Sequence, residues 1–316
     1  MASRKKCIVV ISTGGTIAGV GEAGKDTGYV SGVVSAEDLV RSVPELAEFA
    51  EIRTEQLCNV NSDDMTASLW LSLSRRIQEL DEDDSVDGIV VTHGTDTMDE
   101  TAYFVSLTVR TDKAVVFTGS MKPFTAKKPD GPANLLGAVQ AAVGFSIEDD
   151  PPESSVWVYF AGSLFDARHV QKCSASALNA MGVNYCGDAA GGCCQRGKNF
   201  FDISDLNDLP RVNVVYFSVD ANPKLLEYAS CISDGLVIAG AGSGEFSLGW
   251  AETLRNIDIP VVIASRTHHG TVTLNERLAG GCICAGELPP QKAAVLLRLA
   301  LTVTQKKSVI QKFFEC

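Results

Sequence analysis

The sequence has no apolar run long enough to span a bilayer and no excess of positive charge. Its 27 lysines and arginines are outnumbered by 39 aspartates and glutamates, which gives the 316-residue chain a net charge of −12. A nucleic-acid binder or a membrane-surface protein needs a basic face, so this balance argues against both classes. The N-terminus lacks the apolar region and small-residue cleavage site of a signal peptide, so we expect a cytoplasmic protein.

Motifs for metals and nucleotide cofactors are also missing. No Gly-Lys-Ser or Gly-Lys-Thr completes a Walker A sequence, and the four histidines show no H-E-x-x-H arrangement. The ten cysteines are scattered. Two close pairs, Cys193-Cys194 and Cys282 with Cys284, lack Cys-x-x-Cys spacing, which favours free thiols over a structural metal. We therefore expect no metal and no cofactor.

Strand-like and helix-like segments alternate along the chain, which predicts an α/β fold with a parallel sheet. Most strand candidates are near-continuous apolar runs, as expected for parallel strands covered on both faces. They are residues 7–11, 53–58, 88–91, 114–118, 156–160, 212–218, 235–239 and 259–264. The helix candidates are residues 67–80, 100–109, 132–143, 223–231 and 290–302.

One segment interrupts this alternation. Residues 187–210 are rich in Gly, Asp and Asn and show little apolar periodicity, which is typical of a linker or a long loop. The sequence therefore predicts an N-terminal domain at 1–190, a linker at 191–211 and a smaller C-terminal domain at 212–316.

Two predicted strands end in loops that combine threonine with glycine, at residues 13–16 and 92–97. Ligands of open parallel sheets bind beyond the carboxyl ends of the strands. A threonine hydroxyl there can attack a carbonyl, and the N–H groups of a glycine loop can hold the resulting oxyanion. The alternative is a turn in which Asp96 or Thr97 caps the next helix. For one loop alone the turn is the better interpretation, whereas two such loops on one sheet favour a site.

The sequences of both loops resemble motifs of a known protein family. TGGTIA at 13–18 and HGTDTM at 93–98 resemble the two signature motifs of the bacterial-type L-asparaginases and glutaminase-asparaginases. Further similarity lies at 130–132, 167–172 and 290–293, so the resemblance covers essentially the whole chain. The sequence is most similar to the periplasmic, high-affinity class, although it lacks a secretion signal.

The resemblance implies an asparaginase fold, with a larger N-terminal parallel-sheet α/β domain and a smaller flavodoxin-like C-terminal domain. It implies hydrolysis of L-asparagine to L-aspartate and ammonia through a threonine nucleophile, without a cofactor, and a weaker glutaminase activity. It also implies a homotetramer, built as a dimer of intimate dimers, with sites at subunit interfaces. The small-molecule substrate is a zwitterion without net charge, so the acidity of the chain does not oppose its binding.

The family's catalytic roles transfer residue by residue. Thr13 matches the usual candidate nucleophile, and Tyr29 matches the loop tyrosine that activates it. Thr95, Asp96 and Lys172 match a second cluster, in which the lysine holds Thr95 in a reactive hydrogen-bonded state. The resemblance leaves open which of the two threonines attacks first.

The substrate-binding residues are carried over in the same way. Ser62 matches the ligand of the substrate α-carboxylate, Asp96 that of the α-ammonium, and Ser120 lines the pocket near the side-chain amide. Three further acids belong to the predicted binding set: Asp63, Glu245 and Glu276. Asp63 stands where the family usually has Gln or Glu, and Glu245 where it has Asn or Ser. These carboxylates would crowd round one ammonium group. Because like charges at close range disfavour ionisation, we expect the pKa of at least one of the carboxylates to be raised.

Two other functions fit parts of the pattern. An asparaginase-like subunit of a tRNA-dependent amidotransferase carries an extra N-terminal domain, whereas the first motif here begins near residue 12. A catalytically weak relative acting as an amino-acid sensor or scaffold would not need all five predicted catalytic residues. Both alternatives therefore rank below an L-asparaginase.

Overall fold

The structure is a computed structural model, and it describes residues 4–144, 155–183 and 199–315. The described residues fall into two units. Unit 1 holds the chain up to Val183 together with Asp202–Asp205, and unit 2 holds residues 199–201 and the chain from Leu206 onward. The predicted linker at 191–211 lies partly outside the described residues, so the domain bounds 1–190 and 212–316 stay a prediction.

Unit 1 is built on a six-stranded sheet in the order β2-β1-β3-β4-β5-β6. Its first five strands are parallel and β6 is antiparallel to β5. The strands of unit 1, including the separate hairpin β7-β8, are β1 Cys7–Gly14, β2 Glu51–Val60, β3 Gly88–Thr92, β4 Ala114–Thr118, β5 Val156–Phe160, β6 Ser163–Asp166, β7 Val170–Lys172 and β8 Met181–Val183. The helices are α1 Ala36–Arg41, α2 Leu46–Phe49, α3 Ala67–Asp81, α4 Met98–Thr108 and α5 Gly131–Gly144.

Every residue of β1, β3 and β4 is buried, which confirms that these apolar runs are strands covered on both faces. Alternate strand residues point to opposite faces, so the sheet has two cores. One core packs α3 and α4 around side chains such as Ile11, and the other packs α5 around side chains such as Val10. The strands are thereby fixed in register, and their carboxyl ends meet along one edge.

Unit 2 is a four-stranded parallel sheet in the order β12-β11-β10-β9. Its strands are β9 Val212–Tyr216, β10 Gly235–Gly240, β11 Val261–Ser265 and β12 Ile283–Cys284. Its helices are α6 Lys224–Cys231, α7 Leu248–Leu254, α8 Glu276–Ala279, α9 Pro290–Val303 and α10 Lys307–Phe314. Trp250 is fully buried in the core on the side of α6 and α7, while the long apolar helix α9 packs against β9, β10 and β11.

Candidate active site

The two threonine-glycine loops lie side by side because β1 and β3 are neighbours in the sheet. A Cβ added at Gly15 would lie 2.4 Å from the backbone nitrogen of Gly94, and one at Gly14 would lie 2.5 Å from the carbonyl oxygen of Val60. Gly15 also has a φ of +78°, a conformation that other residues rarely adopt. The glycines thus allow a backbone-to-backbone approach that any side chain prevents.

Thr95, Asp96 and Lys172 form one hydrogen-bonded cluster, as the resemblance implied. Lys172 Nζ donates to Thr95 Oγ1 at 2.8 Å and to Asp96 Oδ1 at 2.6 Å. The Thr95 hydroxyl donates in turn to the sulfur of Met121 at 3.6 Å. The Lys172 side chain is 15% exposed and that of Asp96 is 66% exposed. The lysine is thus held inside the cluster, while the carboxylate faces outward.

Thr13 is buried at the end of β1, and its hydroxyl is already engaged. Thr13 Oγ1 donates to the carbonyl of Thr92 at 3.0 Å. The Tyr29 hydroxyl pairs instead with Thr16 Oγ1 at 2.9 Å. The tyrosine ring lies over Gly19 and reaches the next threonine of the motif, and the activation of Thr13 by Tyr29 stays a prediction.

Ser62 and Asp63 lie on a 3-10 turn, Ser62–Asp64, that follows β2. Ser62 is buried, and its hydroxyl accepts the backbone N–H of Asp96 at 3.2 Å. The hydroxyl of Thr97 donates to the carbonyl of Ser62 at 2.6 Å. Thr97 is the N-cap residue of α4, but because its hydroxyl is engaged in this way, its side chain does not cap the helix. Asp63 points outward and is exposed.

Asp130 and Asn134 hold the loop after β4 in place, and the sequence did not identify either as a functional residue. The carboxylate of Asp130 accepts the backbone N–H groups of Met121 at 2.8 Å and of Lys122 at 2.9 Å. Asn134 donates to the carbonyl of Gly119 at 2.9 Å. The signal available was Asp-Gly-Pro before a helix.

Ser120 is buried in this loop, and its hydroxyl donates to the carbonyl of Lys122 at 2.7 Å. The side chain is thus oriented by its own loop. Because Met121 receives the hydrogen bond of Thr95, the same loop also supports the Thr95 cluster.

Glu245 and Glu276 belong to unit 2 and are described within it. Asn275 donates weakly to both carboxylate oxygens of Glu245, at 3.4 and 3.3 Å. Glu276 begins α8, and its carboxylate folds back toward the backbone of Gly280. The acids of the predicted binding set are therefore divided between the two units, with Asp63 and Asp96 in unit 1.

The described residues include no group of three or more His, Cys, Asp or Glu side chains arranged to hold a metal ion. Cys282 and Cys284 are free thiols, and Cys193-Cys194 lies outside the described residues. Within the same described ranges, every helix is too short or too polar to cross a membrane.

His93 lies beneath the two loops in a fully buried position. Its Nδ1–H donates to the carbonyl of Gly94 at 2.8 Å, and its Nε2 has no hydrogen-bond partner among the described residues. Burial lowers the pKa of the imidazole from 6.5 to about 4, against a smaller opposing effect of the bond to Gly94. The ring is therefore neutral near pH 7 and acts as a structural support.

This pKa leads to a pH-dependent stability. The unfolded chain binds the His93 proton near pH 6.5 and the folded chain only near pH 4, so stability is lost as pH falls through that window. The variant His93→Asn keeps a donor for Gly94 but does not titrate. Between pH 7.5 and 5 we expect its free energy of unfolding to fall by about 2 kcal/mol less than that of the parent. Urea unfolding at both pH values measures this. Equal pH dependence in parent and variant contradicts the assignment.

Each of the two units contains a sheet of mostly parallel strands flanked by helices. Unit 1 also has paired threonine-glycine loops and a threonine hydroxyl bonded to a lysine at one sheet edge. These features define an α/β enzyme of the hydroxyl-nucleophile class. The family model for the asparaginase N-terminal domain matches residues 7–191, and that for the glutaminase/asparaginase C-terminal domain matches residues 211–314. The chain therefore belongs to the asparaginase family.

Similar proteins span nearly the whole chain. L-asparaginase 2 of Escherichia coli (strain K12) is 37% identical, over 97% of this chain and 92% of that protein. The glutaminase-asparaginase of Acinetobacter glutaminasificans is 34% identical, over 98% of this chain and 99% of that protein. The crystal structure of a probable cytoplasmic L-asparaginase from Campylobacter jejuni matches with a TM-score of 0.88 and 34% identity, over 98% of this chain and 99% of that one. The predicted fold class is thereby confirmed.

Proposed function

We propose that this protein hydrolyses L-asparagine to L-aspartate and ammonia, with a weaker activity toward L-glutamine. The observation that carries the proposal is the contact of Lys172 with Thr95 and Asp96, next to the buried loop of Thr13. The family membership and the names of the relatives, L-asparaginase 2 and glutaminase-asparaginase, support the same reaction.

The proposed substrate is a zwitterion, and unit 1 offers a complement to each charge. The exposed carboxylate of Asp96 suits the α-ammonium group. The Ser62 hydroxyl, which touches the backbone N–H of Asp96, suits the α-carboxylate. Both groups sit on loops fixed by backbone contacts, so the amino acid is oriented before reaction.

The chemistry needs one hydroxyl to attack the amide carbon and a donor to stabilise the oxyanion. Attack forms a C–O bond to threonine and expels ammonia, which carries away the transferred proton; water then cleaves the ester to give aspartate. The Lys172 amine donates to Thr95 Oγ1 and stabilises negative charge that develops on this oxygen. Thr13 becomes available when its hydroxyl leaves the Thr92 carbonyl. The backbone N–H groups of the two glycine loops are the proposed oxyanion donors.

The proposal is tested by measuring ammonia release from L-asparagine, L-glutamine and D-asparagine. We expect L-asparagine to be hydrolysed fastest, and Thr13→Ala and Thr95→Ala each to reduce kcat by about a thousandfold. Mass spectrometry of each variant after rapid quenching identifies which threonine carries an acyl group. Release by the parent no faster than by the two variants contradicts hydrolysis and favours a binding role.

We also propose that the protein is a homotetramer, a dimer of intimate dimers, in which Glu245 and Glu276 serve a neighbouring copy. The support is an exposed apolar stripe formed by Leu225 and Tyr228 on α6 and by Ile232 at its C-cap, at helical spacing. Val219, just before this helix, is 90% exposed. Apolar surface of this kind is typical of an interaction site.

Charge placed in the α6 stripe is expected to break the assembly. Light scattering should give the mass of four 33.6 kDa chains for the parent and a smaller mass for a Leu225→Asp, Tyr228→Asp double variant. Val303→Asp is the control, because Val303 is equally apolar and exposed but ends α9. An unchanged mass for the double variant rules out this stripe as the interface.

We also propose that the protein is cytoplasmic. The free cysteines of the described chain suit a reducing compartment, and the Campylobacter jejuni relative is named as probably cytoplasmic.

A further inference from the structure

A cleft in unit 2 gathers positive charge in a chain whose net charge is −12. The cleft has a volume of about 360 Å³ and lies where the end of α7, the helix α8 and the start of α10 meet. Its charged lining residues are Arg255, Arg277, Lys307 and Glu276. Three cations against one acid leave a local formal charge of +2.

The three cations form no close ion pair within the described chain. No described carboxylate forms an ion pair with Arg255, Arg277 or Lys307. By contrast, Arg76 in unit 1 bridges two glutamates. The one acid of the lining, Glu276, has its Oε2 3.4 Å from where a Cβ on Gly280 would stand, and Gly280 also lines the cleft, so this carboxylate offsets part of the positive charge. Three cations that line one cleft with a single acid repel one another, and a bound anion lowers that repulsion.

The rest of the lining adds donors and no further negative charge. Lys307 is the first residue of α10, whose N-cap Lys306 supplies no side-chain acceptor, and the first N–H groups of a helix favour anions. A Cβ at Gly281 would meet nothing within 4 Å, so this stretch of backbone is open. Burial raises the pKa of the Cys282 thiol to about 11, which keeps it uncharged. The cleft therefore offers an anion only attractive or neutral partners besides Glu276.

We propose that this cleft binds a phosphate dianion, either free or as the phosphate group of a small metabolite. A guanidinium presents a planar fork that fits two phosphate oxygens, and an ammonium adds a point charge. Cations that come from three separate elements suit a tetrahedral group with several accessible oxygens better than a carboxylate with two. The inference does not rest on the proposed hydrolysis, because Arg255, Arg277 and Lys307 have no part in it; only Glu276 of this lining belongs to the proposed substrate-binding set.

Calorimetric titration of the full-length protein at constant ionic strength tests the site. Inorganic phosphate, ribose 5-phosphate and succinate are the three probes. We expect saturable binding of phosphate, with the Kd weakened about tenfold or more by Arg277→Gln and by Lys307→Gln. Lys224→Gln is the matched control, since it removes the same charge from an exposed lysine of α6 outside the cleft. Its Kd should equal that of the parent.

The three probes also separate the possible ligands. Tighter binding of ribose 5-phosphate than of inorganic phosphate assigns the site to a phosphorylated metabolite, and the reverse order assigns it to the free ion. Succinate binding as tightly as phosphate, and weakened to the same extent by Arg277→Gln, overturns the assignment to phosphate. An unchanged Kd in both cleft variants, or a loss of binding in Lys172→Met, which removes a cation of unit 1, overturns the location. The absence of saturable heat up to roughly 10 mM phosphate overturns the proposal as a whole.

Discussion

Replacement of Lys172 by methionine is expected to lower kcat for L-asparagine about a thousandfold, while the protein still folds. The Lys172 amine lies 2.8 Å from Thr95 Oγ1 and 2.6 Å from Asp96 Oδ1. Methionine has nearly the same length but neither a charge nor an N–H group. Negative charge that develops on the Thr95 oxygen therefore loses its stabilising partner. Steady-state ammonia release, with kcat and KM determined separately, measures the effect.

A second lysine provides the control for this experiment. The Lys113 amine donates to the carbonyls of Leu80, Asp81 and Asp83 at the end of α3 and contacts neither threonine. We expect Lys113→Met to lower Tm because these carbonyls lose their donor, but to leave kcat within about twofold of the parent. If Lys172→Met keeps more than about a tenth of the parent kcat, Lys172 does not belong to the catalytic machinery.

The strands that build the site could be predicted from local sequence, because their physical cause is local. A parallel strand covered by helices must be apolar on both faces, and the runs that became β1, β3 and β4 are apolar throughout. Parallel strands end at one edge, so the polar loops that follow them meet there. The position of the candidate site could therefore be predicted from where the apolar runs end. Short elements such as β7 and α8, with three and four residues, are too short to show a period.

The contacts inside the site could not be predicted in this way. Lys172 lies 77 residues beyond Thr95 on a short hairpin, and nothing in its own surroundings distinguishes it from a surface lysine. Asp130 acts by accepting two backbone N–H groups, which exist as a pair only after the loop has folded. Tyr29 pairs with Thr16 because of the path of the chain around Gly19, which no residue type specifies. Such contacts depend on tertiary structure, so only the family resemblance indicated Lys172 and Tyr29.

Gly15→Ala is expected to reduce both stability and activity, because Gly15 is where the two threonine-glycine loops touch. The new Cβ would lie 2.4 Å from the nitrogen and 2.5 Å from the Cα of Gly94, and backbone atoms cannot turn aside as a side chain does. The φ of +78° adds strain for any residue with a Cβ. Together these effects should lower the free energy of unfolding by about 4 kcal/mol. A loop displaced by about 1 Å should also reduce kcat by about a hundredfold.

Gly24→Ala separates the collision from the strain. Gly24 has a similar φ of +84°, but a Cβ there would meet nothing within 4 Å. This variant should therefore lose about 1 kcal/mol of stability and keep the kcat of the parent. The difference between the two variants, measured by urea unfolding and by ammonia release, isolates the loop contact. If Gly15→Ala loses no more stability and activity than Gly24→Ala, the close approach of the loops at Gly15 and Gly94 does not control the site.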